Sequence, residues 1–135
     1  MASLKYTNEE GADTINSDAN HYSQLVEFPD SKIVKLSGQG GWDSEVNVDP
    51  DWKRQIDKAF DNVDKVLKAA GLRGWEDVYL LRSYQTNMEE HFEYFIETLK
   101  RKVPSHRPIW TALGVRALGM PSMIVEIEVE AYRST

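Results

Sequence analysis

The sequence predicts an α+β fold in which one mixed sheet carries two helices on a single face. Two segments have apolar residues at three- and four-residue spacing, which is typical of amphipathic helices. Shorter segments have strand character, and the last of them alternates in polarity from Met123 to Tyr132. The predicted order is strand, strand, helix, strand, helix, strand, strand, so a hairpin at each end flanks alternating helices and strands.

The N-terminal segment, residues 1–20, is polar with little periodicity. We expect it to form a flexible arm ahead of a domain at residues 21–135. This domain opens with predicted strands at His21–Phe28 and Ile33–Leu36, joined by a Pro-Asp-Ser turn. The glycine-rich segment Ser37–Gly41 follows, and it allows either a close backbone approach to another group or a simple bend. It lacks the Lys-Ser/Thr ending of a phosphate-binding loop.

Capping residues mark the ends of the two predicted helices. Asp49 is expected to cap the first helix, with Pro50 at its first helical position. Gly71 is the expected C-terminal stop of the same helix. Asn87 is expected to cap the second helix, because Glu90 three residues later completes a capping box.

Two charged or titratable residues have both a structural and a functional interpretation. Arg82 lies on a largely apolar face of the predicted strand Val78–Tyr84. We favour an edge or interface arginine paired with a carboxylate, and a pocket cation is the alternative. His91 lies among polar neighbours near the start of the second helix, so we expect it on the surface.

The chain ends in two predicted strands, Ile109–Val115 and Met123–Tyr132, joined by a turn at Gly119–Pro121. Three glutamates of the last strand, Glu126 among them, share one face. A solvated sheet face is the ordinary interpretation of such a row. The functional interpretation is that Glu126 lines a pocket formed with another strand or another subunit.

Composition argues against several classes of function. The 135 residues carry a net charge of −6, which argues against a nucleic-acid partner because phosphate binding needs a basic surface. The chain has no cysteine, so disulfides, thiolate metal sites and a cysteine nucleophile are excluded. It has neither an apolar run long enough to span a membrane nor a signal-peptide layout, so we expect a cytoplasmic protein. No metal ion or cofactor is predicted.

Short motifs resemble those of a known family in their order and spacing between about His21 and Ala131. They are Tyr22-Ser23-Gln24, Ser37-Gly38-Gln39, the helix end Val66–Gly71, Asp77-Val78, Tyr84–Met88, Arg107-Pro108 and Val125–Glu128. The family is that of the Rid proteins, also called the YjgF family and often labelled reactive-intermediate deaminases. The resemblance implies a chorismate-mutase-like fold, a homotrimer around a central barrel, and three small-molecule clefts, each between neighbouring subunits.

The resemblance also implies roles for individual residues. A carboxylate matching Glu126 positions or activates the attacking water in family deaminases. Tyr22 and Ser37 are expected to assist in catalysis, and Gly38 is expected to complete the pocket. Together these residues form one half of the implied site.

The chain departs from the family where relatives hold a substrate carboxylate. Family deaminases use an arginine two positions after a proline, and its planar fork suits a carboxylate, but this chain has Trp110 there. Thr111 and Ala112 follow, where the family often has Ser and Cys. We expect these three residues to line the cleft, which should then prefer an aromatic or apolar ligand. Arg107 is the preferred substitute cation, and a surface position beside Pro108 is the equally open alternative.

These features favour a Rid-like hydrolase, a deaminase that acts on a reactive enamine or imine with non-standard specificity. The alternative is a non-catalytic homotrimer that binds a small molecule or a partner protein in the same clefts. A third function, that of an endoribonuclease or translation inhibitor, is disfavoured because the chain is acidic and has no basic track.

Overall fold

The structure, a computed structural model, describes residues 3–8 and 11–134. Its elements are β1 Lys5–Thr7, α1 Ala12–Asn20, β2 Leu25–Glu27, β3 Ile33–Leu36, α2 Trp52–Ala69, β4 Val78–Gln85, α3 Met88–Lys102, β5 Ile109–Gly114 and β6 Val125–Tyr132, with a 3₁₀ turn at Trp75–Asp77. The strands form one sheet in the order β1-β2-β3-β6-β4-β5. Only the β4–β5 pair is parallel in this described sheet. The predicted mixed sheet and α+β class are confirmed.

The core lies between the sheet and the two long helices. β6 directs Val125, Ile127 and Val129 into it, and all three are buried. Phe60 of α2 and Phe95 of α3 meet over these side chains, with their ring centroids 5.0 Å apart. Burying this apolar layer is the main favourable term in folding, and it leaves the opposite face of β6 to its acidic residues.

The predicted C-terminal hairpin is wrong. β5 pairs with β4 and β6 pairs with β3 and β4, so β4 lies between the last two strands. The cause is α3, which carries the chain from the end of β4 back to the start of a parallel neighbour, as a βαβ crossover does. The N-terminal hairpin of β2 and β3 is confirmed, because these strands pair antiparallel.

The cap of α2 differs from the prediction by two residues. Asp51 is the N-cap, and its side chain accepts a hydrogen bond from the Arg54 N–H at 3.0 Å. The predicted cap, Asp49, instead accepts from the Asp51 N–H at 2.9 Å and pairs with Lys58 at 2.8 Å. The expected stop is confirmed, since Gly71 follows the C-cap residue with a φ of 86°.

The cap of α3 agrees with the sequence. The Asn87 side chain accepts a hydrogen bond from the Glu90 N–H at 3.1 Å and donates to the Glu90 carboxylate at 2.9 Å. Arg82 is also paired as favoured, with its Nη1 3.9 Å from Glu128 and 3.7 Å from Glu130. The surface position expected for His91 is wrong: it is 4% exposed and stacks on Trp52 at 4.1 Å.

The N-terminal segment contributes two elements that the sequence did not predict. β1 adds to the edge of the sheet beside β2, where Thr7 pairs with Leu25. α1 ends at Asn20, and its C-cap His21 has a left-handed φ of 60°, so β2 cannot begin at residue 21 as expected. That residues 1–20 are flexible stays a prediction, and residues 1, 2, 9 and 10 of that segment lie outside the described residues. Among helices of the described residues, none is both long and apolar enough to cross a membrane.

Candidate functional site

A cleft of about 460 Å³ lies between α1, the segment after β3 and the start of β6. Its lining residues are Asn16, Asn20, Tyr22, Ser37, Gly38, Trp42, Gly119, Met120, Met123 and Glu126. Four of these are predicted site residues: Tyr22, Ser37, Gly38 and Glu126. The structure therefore brings together one half of the site that the family resemblance implies.

Gly38 lies directly against the Glu126 side chain. Just beyond β3, Gln39 forms a two-way backbone bridge with Ile127, with N···O distances of 2.7 and 2.9 Å. This bridge holds the preceding glycine so close that a Cβ on it would be 2.0 Å from Glu126 Oε1. Of the two interpretations of the glycine-rich segment, close approach is correct at this position, because any side chain there would displace the carboxylate.

The Glu126 carboxyl differs from its neighbours on the same face of β6. Glu128 accepts a hydrogen bond from the Tyr84 hydroxyl and Glu130 from that of Tyr79, each at 2.6 Å. Within residues 3–8 and 11–134, Glu126 has no hydrogen-bond or ion-pair partner. Burial, and then the charge of Glu128, raise the pKa of Glu126 above its usual 4.5. A half-buried carboxyl of this kind can hold a water molecule and exchange a proton with it.

Two buried glutamines support the Tyr22 hydroxyl. Gln39 Nε2 donates to Gln24 Oε1 at 2.6 Å, and Gln24 Nε2 donates to the Tyr22 oxygen at 3.1 Å. Because the first bond fixes which end of the Gln24 amide faces Tyr22, the phenol oxygen is an acceptor in this contact. Both glutamines are fully buried. The sequence contains them in its recognised motifs but gave no reason to assign them this function.

Ser37 uses its proton within the protein. Its hydroxyl donates to the Ser23 carbonyl at 2.6 Å. The oxygen therefore offers lone pairs to the cleft, while the proton ties the segment after β3 to the chain before β2. In this arrangement Ser37 can accept a hydrogen bond from a ligand more readily than it can donate one.

The remaining lining residues were missed by the sequence reasoning. Asn16 and Asn20 belong to α1, in the segment expected to be an arm. Trp42 and Met123 form a small buried cluster against which Met120 packs. Met120 was counted only as part of a turn, and no periodicity marks the two asparagines. The cleft thus has an apolar wall and a polar wall, and only the fold brings them together.

Trp110 does not face Glu126 within one chain. It pairs with Leu81, which pairs with Val129 on the helix-covered face, whereas Glu126 pairs with Tyr84 on the opposite face. The indole packs against Phe92 and Phe95 of α3, each with a centroid distance of 5.5 Å. Its N–H donates to the Ser83 hydroxyl at 2.9 Å. Within one chain the partly buried indole packs on α3, which offers it aromatic partners, and its expected place in a cleft between subunits stays a prediction.

The other predicted binding residues also lie outside this cleft. Thr111 is beside Arg82 on the open face of the sheet, and Ala112 is beside Ser83 on the helix-covered face. Arg107 is exposed in the loop that enters β5. Their contribution to a binding site stays a prediction that requires a second chain.

The cleft is poor in positive charge. None of its described lining residues is Lys, Arg or His. The described part of the chain also contains no cluster of three or more His, Asp or Glu side chains able to hold a metal ion. Within this chain, the chemistry available in the cleft is that of a carboxyl, two hydroxyls and two amides.

Comparisons with known proteins relate this chain to one family. The family model described as endoribonuclease L-PSP matches residues 14–133. The RutC family protein YjgH of Escherichia coli K12 is 35% identical over 98 residues, which cover 71% of this chain and 72% of that protein. RidA from the Antarctic bacterium Psychrobacter sp. PAMC 21119 is similar in structure with a TM-score of 0.80 and 26% identity, over 98% of this chain and 99% of its own. Rv2704 of Mycobacterium tuberculosis, from the YjgF/YER057c/UK114 family, is similar in structure with a TM-score of 0.78 and 25% sequence identity. The match covers 96% of this chain and 99% of Rv2704.

Proposed function

The chain belongs to the Rid family, also called the YjgF family, and from that premise we propose that it is a hydrolase of imines and enamines. Water adds to the carbon of the C=N bond, the C–N bond breaks, and a carbonyl compound and ammonia leave. An enamine enters the same route after tautomerising to the imine. The observation that carries the proposal is the partly buried Glu126 carboxyl in the cleft, with no partner among the described residues.

Glu126 is the group that handles water. As a carboxylate it accepts a hydrogen bond from the water and directs a lone pair towards the imine carbon. Its raised pKa makes it a stronger base than an exposed glutamate, so it takes the water proton more readily. The carboxyl returns this proton to the nitrogen, which gives a carbinolamine. As the C–N bond breaks, the proton of the new hydroxyl also passes to the nitrogen, so ammonia leaves with both protons of the water and no cofactor is needed.

We propose that a homotrimer completes the cleft. The open face of edge strand β5 exposes large apolar side chains, with Ile109 65% and Leu113 44% accessible. Covering such a face with another copy of the chain removes it from water. In this arrangement Thr111 of one chain reaches the cleft of its neighbour, whereas the exposed Arg107 keeps the surface position that was the open alternative for it. The predicted cytoplasmic location stays a prediction.

The proposed specificity for apolar substrates rests on different residues from those first expected. Trp110 packs under α3, whereas Trp42, Met120 and Met123 form the apolar wall beside Glu126. This wall favours a substrate with an aromatic or aliphatic body over a small acid such as 2-aminoacrylate.

The experiment compares carbonyl release by the native protein, Glu126→Gln and Glu128→Gln. Substrates are 2-aminoacrylate and the imine of an aromatic ketone, which has no carboxylate, each generated in place. Loss of a positioned general base costs about 10²–10⁴-fold, so Glu126→Gln should lose at least about 10²-fold in kcat/KM. Glu128→Gln, on the same strand and face, should keep most activity.

Two outcomes would contradict the proposal. Equal rates with and without protein for every imine would leave a binding protein as the better account of the cleft. Equal rates for the native protein and Glu126→Gln would move the chemistry elsewhere. Light scattering tests the assembly independently, since a trimer has three times the 15.5 kDa mass of the chain.

A further inference from the structure

Resting on the proposed function, we propose that the Asn16 side chain recognises an uncharged polar group on the substrate by hydrogen bonding. The enzyme then acts on imines and enamines that have an apolar body and no carboxylate. Asn16 is the specificity-determining residue for this class, and α1 is the element that places it in the cleft.

Asn16 is a nearly buried residue whose side-chain amide has no hydrogen-bond partner in the described chain. It lines the cleft, yet only 7% of its surface is exposed. Its backbone carbonyl accepts a hydrogen bond from Asn20 Nδ2 at 3.1 Å, but its own side-chain amide has no hydrogen bond within the described residues. Its amide atoms are not among the fully buried polar atoms without a partner, so they open onto the cleft, where a ligand or water can pair with them.

The other polar amides near the cleft are already engaged. Asn20 donates to the Asn16 carbonyl, and Asn62 donates to the carbonyls of Gly40 and Trp42 at 2.7 and 3.0 Å. Gln24 donates to the Tyr22 oxygen. Asn16 is therefore the amide of this group whose donor and acceptor are both available to a ligand.

The charge of the cleft decides which polar group it accepts. The lining residues described in this chain include the Glu126 carboxyl and no cation. A substrate carboxylate would lose its hydration and gain only repulsion from Glu126, which is costly in a partly buried site. An uncharged group such as a carboxamide instead offers an N–H and a carbonyl, which complement the two ends of the Asn16 amide.

The apolar wall fixes the remainder of the substrate. Trp42 and Met123 are nearly buried and lie on the cleft together with Met120. Thioethers adapt to aromatic rings and indole offers a flat face, so the wall suits a ring or a branched chain. The result is a substrate with an apolar body at this wall, its imine carbon near Glu126 and an uncharged polar group at Asn16.

The test measures binding, so that it is independent of turnover. Benzamide and benzoate share a ring and differ in the uncharged or charged polar group, and their affinities are measured by NMR titration of the native full-length protein. We expect benzamide to bind at least about tenfold more tightly than benzoate. Asn16→Leu should weaken benzamide about five- to tenfold, the usual effect of losing a net hydrogen bond. Asn16→Asp, nearly isosteric with the native side chain, should weaken benzoate further.

Ala19→Asp is the matched control, because it adds the same charge to an exposed position of the same helix. It should leave the affinity for benzamide unchanged. Benzoate binding as tightly as benzamide, no binding of either compound, or unchanged benzamide affinity in Asn16→Leu and Asn16→Asp would each overturn the inference. A protein that prefers benzamide but hydrolyses no imine would instead retain the Asn16 assignment and refute the proposed hydrolase.

Discussion

Gly38→Ala tests the contact on which the site geometry depends. The added Cβ would lie 2.0 Å from Glu126 Oε1, whereas ordinary contact begins at 3.4 Å, so the carboxylate must move by about 1.4 Å. Misplacing a reacting group by about 1 Å can cost about 10²-fold in rate. Because the displaced atoms are the end of a flexible side chain, the free energy of unfolding should change by less than about 2 kcal/mol. The variant should thus remain folded and lose activity.

Two measurements decide this prediction. The first is kcat/KM for the imine substrate, expected to fall by about 10²-fold. The second is the pKa of the Glu126 carboxyl by NMR, which should return towards its usual 4.5 as the group moves towards water. Gly114→Ala is the control, since its added Cβ meets only Met88 at 3.2 Å and the Gln85 carbonyl at 4.0 Å, outside the cleft. Native activity together with a native pKa in Gly38→Ala would refute the reasoning.

Three further predictions follow from other contacts. Glu126→Gln should raise the melting temperature at about pH 7, because burial disfavours the charged form of the native carboxyl. The gain should vanish below pH 4.5, where the Glu126 carboxyl is protonated in both the folded and the unfolded chain. An equal gain at both pH values would argue against the raised pKa of Glu126. Gln24→Leu should lower kcat about tenfold, because it removes the hydrogen bond that positions the Tyr22 hydroxyl. The double variant Gln24→Leu/Tyr22→Phe should have a kcat close to that of Tyr22→Phe alone. A double variant whose loss equals the product of the two single losses would show that the residues act independently. Trp110→Arg should lower the free energy of unfolding by about 3 kcal/mol in urea titrations, because it removes the indole that packs on Phe92 and Phe95 of α3. An unchanged urea midpoint would show that this packing does not stabilise the fold.

Local patterns predicted the elements whose signals are complete within a few residues. β3 was predicted to the residue, and the Asn87–Glu90 cap of α3 was correct. Asp49 misled the reasoning because an aspartate before proline is a good cap by type. In the structure Asp49 lies two residues before the actual cap, and its side chain accepts a hydrogen bond from the Asp51 N–H. Such a choice between two nearby caps depends on tertiary pairing with Lys58, which spacing does not reveal.

Long-range pairing was the part that patterns could not supply. β5 and β6 are adjacent in sequence and joined by turn residues, yet β4 separates them. His91 looked solvated from its sequence neighbours, but Trp52 of another helix covers it. The packing of Trp110 on Phe92 and Phe95 of α3 was missed for the same reason.

The family resemblance named four residues of the candidate site. Tyr22, Ser37, Gly38 and Glu126 were named from motifs, and the structure gathers all four around one cleft. Asn16 belongs to no recognised motif, and its amide becomes a candidate site group only because the fold places α1 beside Glu126. A residue that reaches a site through the packing of its helix therefore cannot be identified before the fold is known.

The pH dependence of kcat/KM tests the central assignment most directly, because its acidic limb reports the pKa of the essential base in the free enzyme. We predict a limb that inflects above 4.5, the usual value for glutamate, and that disappears in Glu126→Gln. A limb that inflects below that value, or one that persists unchanged in the variant, would contradict the assignment of Glu126 as the group that activates water.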